Sequence, residues 1–248
     1  MIVEDEEMKP EVRFRAAGDR HLVAELADVI DPSINRRVVA LAAALERQRV
    51  VGIIDLLPTY RSLLVHYDPL VAGRGLLENV ILRAFGNLTV DMSGAGKRWR
   101  IPVVYGGAHG PDLDEVAARH GITTDEVIAL HSGAEYRIFM IGFAPGYAYL
   151  GGLPPALHTP RRPAPRLSAP AGTISIGGQQ ASIASVPLPT GWNLLGRTPV
   201  KAFDPMRADP FLFAAGDTVA FTPVGQPEFE RLQVGIERGS ITSEAFHA

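Results

Sequence analysis

The sequence predicts a two-part protein: a small α+β domain, one sheet covered by two helices, followed by a β-rich domain that reads as a barrel or a sandwich. Three observations carry this. The 248 residues exceed one small module and suit two compact domains. Up to about residue 98, strand-like alternation and helix-like stripes take turns, whereas from Arg137 onward short β-type runs are punctuated by Gly and Pro. Residues 91–98, Asp-Met-Ser-Gly-Ala-Gly-Lys-Arg, are polar and glycine-rich and suit a boundary. The expected division is an acidic tail over 1–10, an α+β domain over 11–98, a β-rich domain over 99–225 and a C-terminal tail over 226–248.

In the first domain, Val12-Arg13-Phe14-Arg15 alternates apolar and basic residues as a half-buried strand does, and residues 22–26 form a second short candidate. Asp31-Pro32 reads as an N-cap followed by Pro at the first helical position, opening a helix whose stripe is Val38, Leu41, Ala42 and Leu45. Residues 50–57 and 62–67 are strands joined around Pro58-Thr59-Tyr60. A second helix over about 75–85 carries Leu76, Val80 and Leu82 and stops at Gly86-Asn87, and residues 88–90 read as a last short strand. Two helix starts follow, Asp112 with Glu115 and Thr123 with Glu126, each a cap with Glu three residues later. In the second domain the β-type runs are residues 137–141, several within 171–186 and more within 212–222; Pro227-Glu228 precedes a helical turn at 229–232.

Composition excludes several functions. With 46% hydrophobic and 21% charged residues the chain has globular rather than disordered usage. A net charge of −3 argues against bulk attraction to nucleic acid or anionic membrane. Cysteine is absent, which removes disulfides, thiol catalysis and cysteine-based metal sites. The acidic start does not fit a signal peptide, and no apolar run approaches the ~20 residues of a membrane span, so the expected location is the cytoplasm. Gly96-Lys97 fails as a phosphate loop, because Asp91 and Arg98 stand where Gly and Ser or Thr are needed. Residues 112–131 resemble a helix-turn-helix in spacing, but Thr124-Asp125-Glu126 would repel phosphate. The nucleophile elbow and the His-Glu-x-x-His pattern are both missing, which leaves His131 and His109 as the candidate proton carriers.

The anomaly lies between Glu135 and Asp204, 68 residues without one Asp or Glu. The stretch holds Arg137, Arg161, Arg162, Arg166, Arg197 and Lys201, hence +6 inside a chain of −3, and ten of the 20 prolines. Missing carboxylates would leave the arginines free for an anionic ligand; the alternative is pairing with carboxylates from elsewhere in the chain. Within the stretch, residues 142–150 are a dense run of Gly, Pro and aromatics. Residues 160–166, Pro-Arg-Arg-Pro-Ala-Pro-Arg, set arginines on a stiff backbone, and Gly177-Gly178-Gln179-Gln180 adds amide donors. Trp192 fits either core or a ligand platform.

Read in order, Pro102-Val103-Val104-Tyr105-Gly106-Gly107, Gly110-Pro111-Asp112-Leu113, the run 142–150, Pro160-Arg161-Arg162, Pro165-Arg166, Pro170-Ala171-Gly172, Gly191-Trp192 and Gly196-Arg197-Thr198-Pro199 resemble one family. It is the family of the 5-oxoprolinase B subunit, also called allophanate hydrolase subunit 1 or the sporulation kinase inhibitor family. In the first domain the likeness takes in residues 31–35 and 58–62. The resemblance implies a cyclophilin-like β-barrel for the second domain. It also implies a homologous partner, the 5-oxoprolinase C subunit or allophanate hydrolase subunit 2, together with a third 5-oxoprolinase subunit. Such assemblies open 5-oxoproline to glutamate with ATP, although this chain has no nucleotide motif of its own. Related branches imply two alternatives, inhibition of a sensor histidine kinase and a carboxyltransferase-type module of urea carboxylase.

Carried onto this chain, the resemblance places the substrate surface at Gly142, Phe143, Pro145, Gly146, Tyr149, Arg162, Gly178 and Gln179. The expectation is that Arg162 and Arg166 hold a carboxylate or carboxyphosphate-like group and Gly178 with Gln179 orients it, with His131 as a candidate proton carrier. The chain departs from the family pattern at Tyr147, often Phe, at Gln180, usually Thr, and at Leu188-Pro189-Thr190-Gly191-Trp192, usually Pro-Gly-Gly-Trp.

Overall fold

The computed structural model describes residues 12–89 and 96–248, so the expected acidic tail, the end of the expected strand at Val90 and most of the expected boundary segment lie outside the described residues. The chain divides into two compact units, residues 1–92 and 93–248.

The first unit is one four-stranded antiparallel sheet and two helices. Its strands are β1 (Arg13–Ala16), β2 (His21–Glu25), β3 (Ile53–Pro58) and β4 (Ser62–Tyr67), in the order β1-β2-β4-β3. Period-2 alternation buries Leu22 and Ala24 of β2 and Leu63 and Val65 of β4 against the helices. Helix α1 (Pro32–Gln48) starts where Asp31 accepts hydrogen bonds from the backbone N–H of Ser33 at 2.7 Å and of Ile34 at 3.4 Å. Its Val38, Leu41, Ala42 and Leu45 enter the core as their spacing predicts. Helix α2 (Arg74–Gly86) corrects one expectation: Leu77, Ile81 and Ala84 face the core, whereas Leu76 and Leu82 are 57% and 45% exposed. Leu88 and Thr89, expected in a strand, are not in one.

The second unit is a closed seven-stranded barrel. Its strands are β5 (Arg98–Tyr105), β6 (Glu135–Ile141), β7 (Ala148–Gly151), β9 (Thr173–Gly177), β10 (Gln180–Ile183), β12 (Asn193–Arg197) and β13 (Thr218–Pro223). They run in the cyclic order β10-β7-β6-β13-β5-β12-β9. A two-stranded ribbon of β8 (Arg166–Ala169) and β11 (Leu188–Thr190) stands outside the barrel. Ile101, Val103, Ile138, Leu150, Ile174, Ile176, Leu195 and Val219 belong to the barrel's core. Helices α3 (Leu113–His120) and α4 (Thr124–Ser132) add Val116, Ala117 and Val127 to that core.

Helix α4 opens with the expected capping box between Thr123 and Glu126. Asp112 does not cap α3; its carboxylate is engaged elsewhere. Residues 226–248 are no tail. They form α5 (Gln226–Glu237) and a 3-10 turn (Ser243–Phe246), and Leu232 and Phe246 join the barrel's core because both are apolar on inward faces. Among the described residues, no helix is long and apolar enough to cross a membrane.

The barrel's one parallel seam joins β5 to β13, and buried Asp217 fastens it. Its carboxylate accepts hydrogen bonds from the Lys97 N–H at 2.8 Å, the Trp99 indole N–H at 2.9 Å and the Ala214 N–H at 3.0 Å. Asp217→Ala strands three donors without an acceptor. Chemical denaturation is expected to show a loss of about 3 kcal/mol or more, and an unchanged midpoint would contradict this.

Candidate functional site

Alternation along the barrel strands builds the site. Ala148 and Leu150 of β7, Ala181 and Ile183 of β10, and Ile174 and Ile176 of β9 point into the core. Their neighbours Tyr149, Ser182 and Ser175 therefore take the outer face, where Tyr149 lies opposite Ser182 and Ser182 opposite Ser175. The loop of residues 142–147 leads into this face. Tyr147 lies 4.8 Å from Tyr149 between ring centroids, Phe143 lies 5.8 Å from Tyr147, and Trp192 lies 5.9 Å from Tyr149. Gly177 makes room for Trp192, since a Cβ there would fall 2.7 Å from the indole. The result is a continuous aromatic strip: Phe143, Tyr147, Tyr149, Trp192.

Arg161 crosses the end of the strip, its guanidinium 5.6 Å from the Trp192 ring. The backbone around it is pinned. Thr159 and Gly178 exchange hydrogen bonds at 3.2 and 2.6 Å, the Asn193 amide donates to Pro160 O at 3.0 Å, and the Arg162 N–H donates to Gly191 O at 2.7 Å. Arg162 turns toward Asp112 and Arg161 toward Trp192.

This corrects the expectation of free arginines at 162 and 166. The Arg166 guanidinium grips buried Asp112 with two hydrogen bonds, 2.7 and 2.6 Å, and Arg162 donates to the same carboxylate at 2.9 Å and to Glu115 at 3.2 Å. The acid comes from outside the acid-free stretch, which is how a stretch without carboxylates is neutralised. Elsewhere in the stretch, Arg137 donates to Gly216 O, Arg197 to Ala171 O, and Lys201 pairs with Asp204 at 3.7 Å. Arg161 alone of the six cations has neither ion pair nor hydrogen bond among the described residues. A cation–π contact with Trp192 uses none of the guanidinium N–H groups, so they stay available to a carboxylate. Its charge reaches the phenols: burial raises the pKa of Tyr147 to about 12 and that of Tyr149 above its usual value, and Arg161 opposes both shifts.

His131 is a second correction. It is wholly buried in α4, 4.9 Å from the Phe221 ring and 5.3 Å from that of Tyr136, with Tyr105 Oη 2.8 Å from its Nδ1. Burial lowers its pKa from 6.5 to about 3, so it stays neutral and carries no proton to the strip. The remaining expected residues are brought to the strip unevenly. Tyr149 and Phe143 are on it, Gly142, Pro145 and Gly146 form the loop that carries Phe143, and Gly178 is hydrogen-bonded beside the Arg161 segment with exposed Gln179 next to it. Sequence reasoning did not assign Arg161, Tyr147, Ser175 or Ser182 to the site. The extended Pro-rich context of residues 160–166 was the usable signal for Arg161. Among the described residues, no three His, Asp or Glu side chains are placed to hold a metal ion.

Two outcomes follow from this geometry. Asp112→Asn leaves the half-buried Arg166 guanidinium without its counter-charge and Arg162 with Glu115 alone, which is expected to cost about 3 kcal/mol and lower the barrel's Tm by roughly 6–12 °C. Calorimetry showing no shift would contradict the clamp. For His131 the unfolded chain binds the proton that the folded chain refuses, so its contribution to stability is intact above pH 6.5 and is lost as pH falls toward 3. Between pH 8 and 5 this amounts to about 2 kcal/mol. His131→Gln is expected to flatten the pH dependence of the denaturation midpoint by that amount; an unchanged slope would refute the assignment.

Residues 12–213 match the family described as carboxyltransferase domain, subdomain C and D. The 5-oxoprolinase B subunit of Bacillus subtilis (strain 168) is 34% identical over 222 residues, covering 86% of this chain and 92% of that protein. The crystal structure of TTHA0988 superposes with a TM-score of 0.74 at 38% identity over 84% of this chain, which spans only 40% of the TTHA0988 chain. The K. lactis urea amidolyase, at 22% identity and a TM-score of 0.78, shares the fold over 94% of this chain and 16% of its own. The chain therefore belongs to the carboxyltransferase subdomain C and D family, together with the 5-oxoprolinase B subunit.

Proposed function

We propose that this chain is one subunit of a cytoplasmic, ATP-dependent 5-oxoprolinase and supplies a cationic, aromatic half-site that a homologous partner completes. The observation that carries the reading is Arg161, lying on Trp192 with its hydrogen-bonding edge unused. 5-Oxoproline is a small ring bearing a carboxylate. Its carboxylate pairs with the Arg161 guanidinium in the planar two-bond geometry that arginine offers, and its ring lies against the Trp192–Tyr149 portion of the strip. Gln179, exposed beside this segment, offers an amide that can meet the lactam.

The strip binds and orients but does not move protons near neutral pH. Its phenols are held above their usual range by burial, Asp112 is bound by Arg162 and Arg166, and Glu115 is bound by Arg162. The acid–base groups and the ATP site are accordingly assigned to the partner side of the assembly. Two facts support a shared site. The relative that this chain covers almost end to end is named a subunit, and in TTHA0988 the matching region is less than half of a longer chain.

The test is co-expression with the adjacent gene product, followed by 5-oxoproline-dependent ATP turnover. Arg161→Ala is expected to raise KM for 5-oxoproline by roughly 10–100-fold, the loss of a charge-assisted hydrogen bond. Turnover by the co-purified complex with an unchanged KM in Arg161→Ala would remove Arg161 from the site, and a complex with no 5-oxoproline-dependent turnover would remove the function.

A further inference from the structure

We infer that the buried hydroxyl cluster of Tyr147, Ser182 and Ser175 sets how tightly the half-site holds its substrate, with Tyr147 as the positioning residue of the aromatic wall. The inference rests on the half-site reading above. The Tyr147 hydroxyl donates to Ser182 Oγ at 2.8 Å, and the Ser182 and Ser175 hydroxyls lie 2.8 Å apart. All three residues are buried. Both serines are on adjacent, paired barrel strands, so they form a fixed anchor, whereas Tyr147 ends a loop.

That loop is held from two sides. At its base the Gly142 N–H donates to Tyr147 O at 3.1 Å, and within it the Tyr147 N–H donates to Ala144 O at 3.1 Å. On one side Gly146, at φ +72°, is seated so closely that a Cβ would fall 2.9 Å from Phe203 Cβ. On the other side stands the hydroxyl cluster. Between these braces Phe143 is kept at φ +70° while 69% exposed. A bulky residue adopts that conformation only where its surroundings impose it.

The cluster is an odd choice for stability alone. Burying three hydroxyls gains little over apolar side chains of similar shape, since their hydrogen bonds mainly offset desolvation. What it fixes is position. Tyr147 touches the ring neighbours on both sides, Phe143 and Tyr149, and Tyr149 adjoins Trp192 beneath Arg161. A tilt of Tyr147 therefore passes along the wall to the carboxylate seat, and no bond to the substrate from Tyr147 itself is required.

Tyr147→Phe removes the hydroxyl and keeps the ring. In the reconstituted complex it is expected to raise KM for 5-oxoproline about tenfold with kcat within about twofold, and to leave Tm within a few degrees. Ser182→Ala should likewise raise KM, and the double variant should be no worse than Ser182→Ala alone, because that single variant already removes the Tyr147–Ser182 bond as well as the Ser182–Ser175 contact. In the full chain alone, hydrogen exchange at the Gly142 and Tyr147 amides should quicken about tenfold in Tyr147→Phe. A lowered Tm with unchanged KM and unchanged exchange would reduce the cluster to ordinary packing and overturn the inference. The exchange measurement needs no substrate, so it decides the matter for the loop even if the complex proves inactive on 5-oxoproline, a result that would sink the functional reading instead.

Discussion

One buried carboxylate organises the outer face of the barrel unit. Asp112 accepts hydrogen bonds from both Nη atoms of Arg166, from Arg162 and from the Leu194 N–H, and its own N–H donates to Leu194 O. It thereby ties the start of α3, the 160–166 segment, the outer ribbon and barrel strand β12 to one point. A charge so buried is tolerable only because its counter-charges are close and its lone pairs are used. The clamp also decides which cation is left over. By drawing in Arg162 and Arg166 it sets the direction of the extended segment, and the residue between two pinned backbone positions, Arg161, is turned onto Trp192.

Much of the fold was legible in local chemistry. Asp31-Pro32 and Thr123 with Glu126 are helix starts because their hydrogen bonds close within three residues, and the structure shows both. The face of α2 was not legible. Leu76, Leu77, Val80, Ile81 and Leu82 form two overlapping stripes, and only the position of the sheet selects Leu77 and Ile81. Asp112 misled for a related reason. Its spacing to Glu115 satisfies a local cap, but its partners lie 50 to 82 residues away, and the stronger long-range interaction won.

The same reasoning explains what the sequence could and could not say of the site. The acid-free, arginine-bearing stretch contains the whole candidate strip, since Phe143, Tyr149, Trp192 and Arg161 all lie in it. It could not say which arginines would find carboxylates from another element, and the answer removed the two that had looked best placed. His131 was attractive as a lone histidine near the cationic stretch in sequence, yet its neighbours in space are the rings of Tyr105, Tyr136 and Phe221. What remains is an aromatic surface with one unpaired guanidinium among the described residues, and the proposed half-site is built on that surface.

The proposed half-site requires Arg161 to hold the substrate carboxylate while the Asp112 clamp stays closed. A crystal structure of the assembled complex with 5-oxoproline bound tests it most directly. The carboxylate is expected within hydrogen-bonding distance of the Arg161 guanidinium, with the two bonds from Arg166 to Asp112 intact. A carboxylate seated on Arg162 or Arg166, with Asp112 displaced from either, would contradict it.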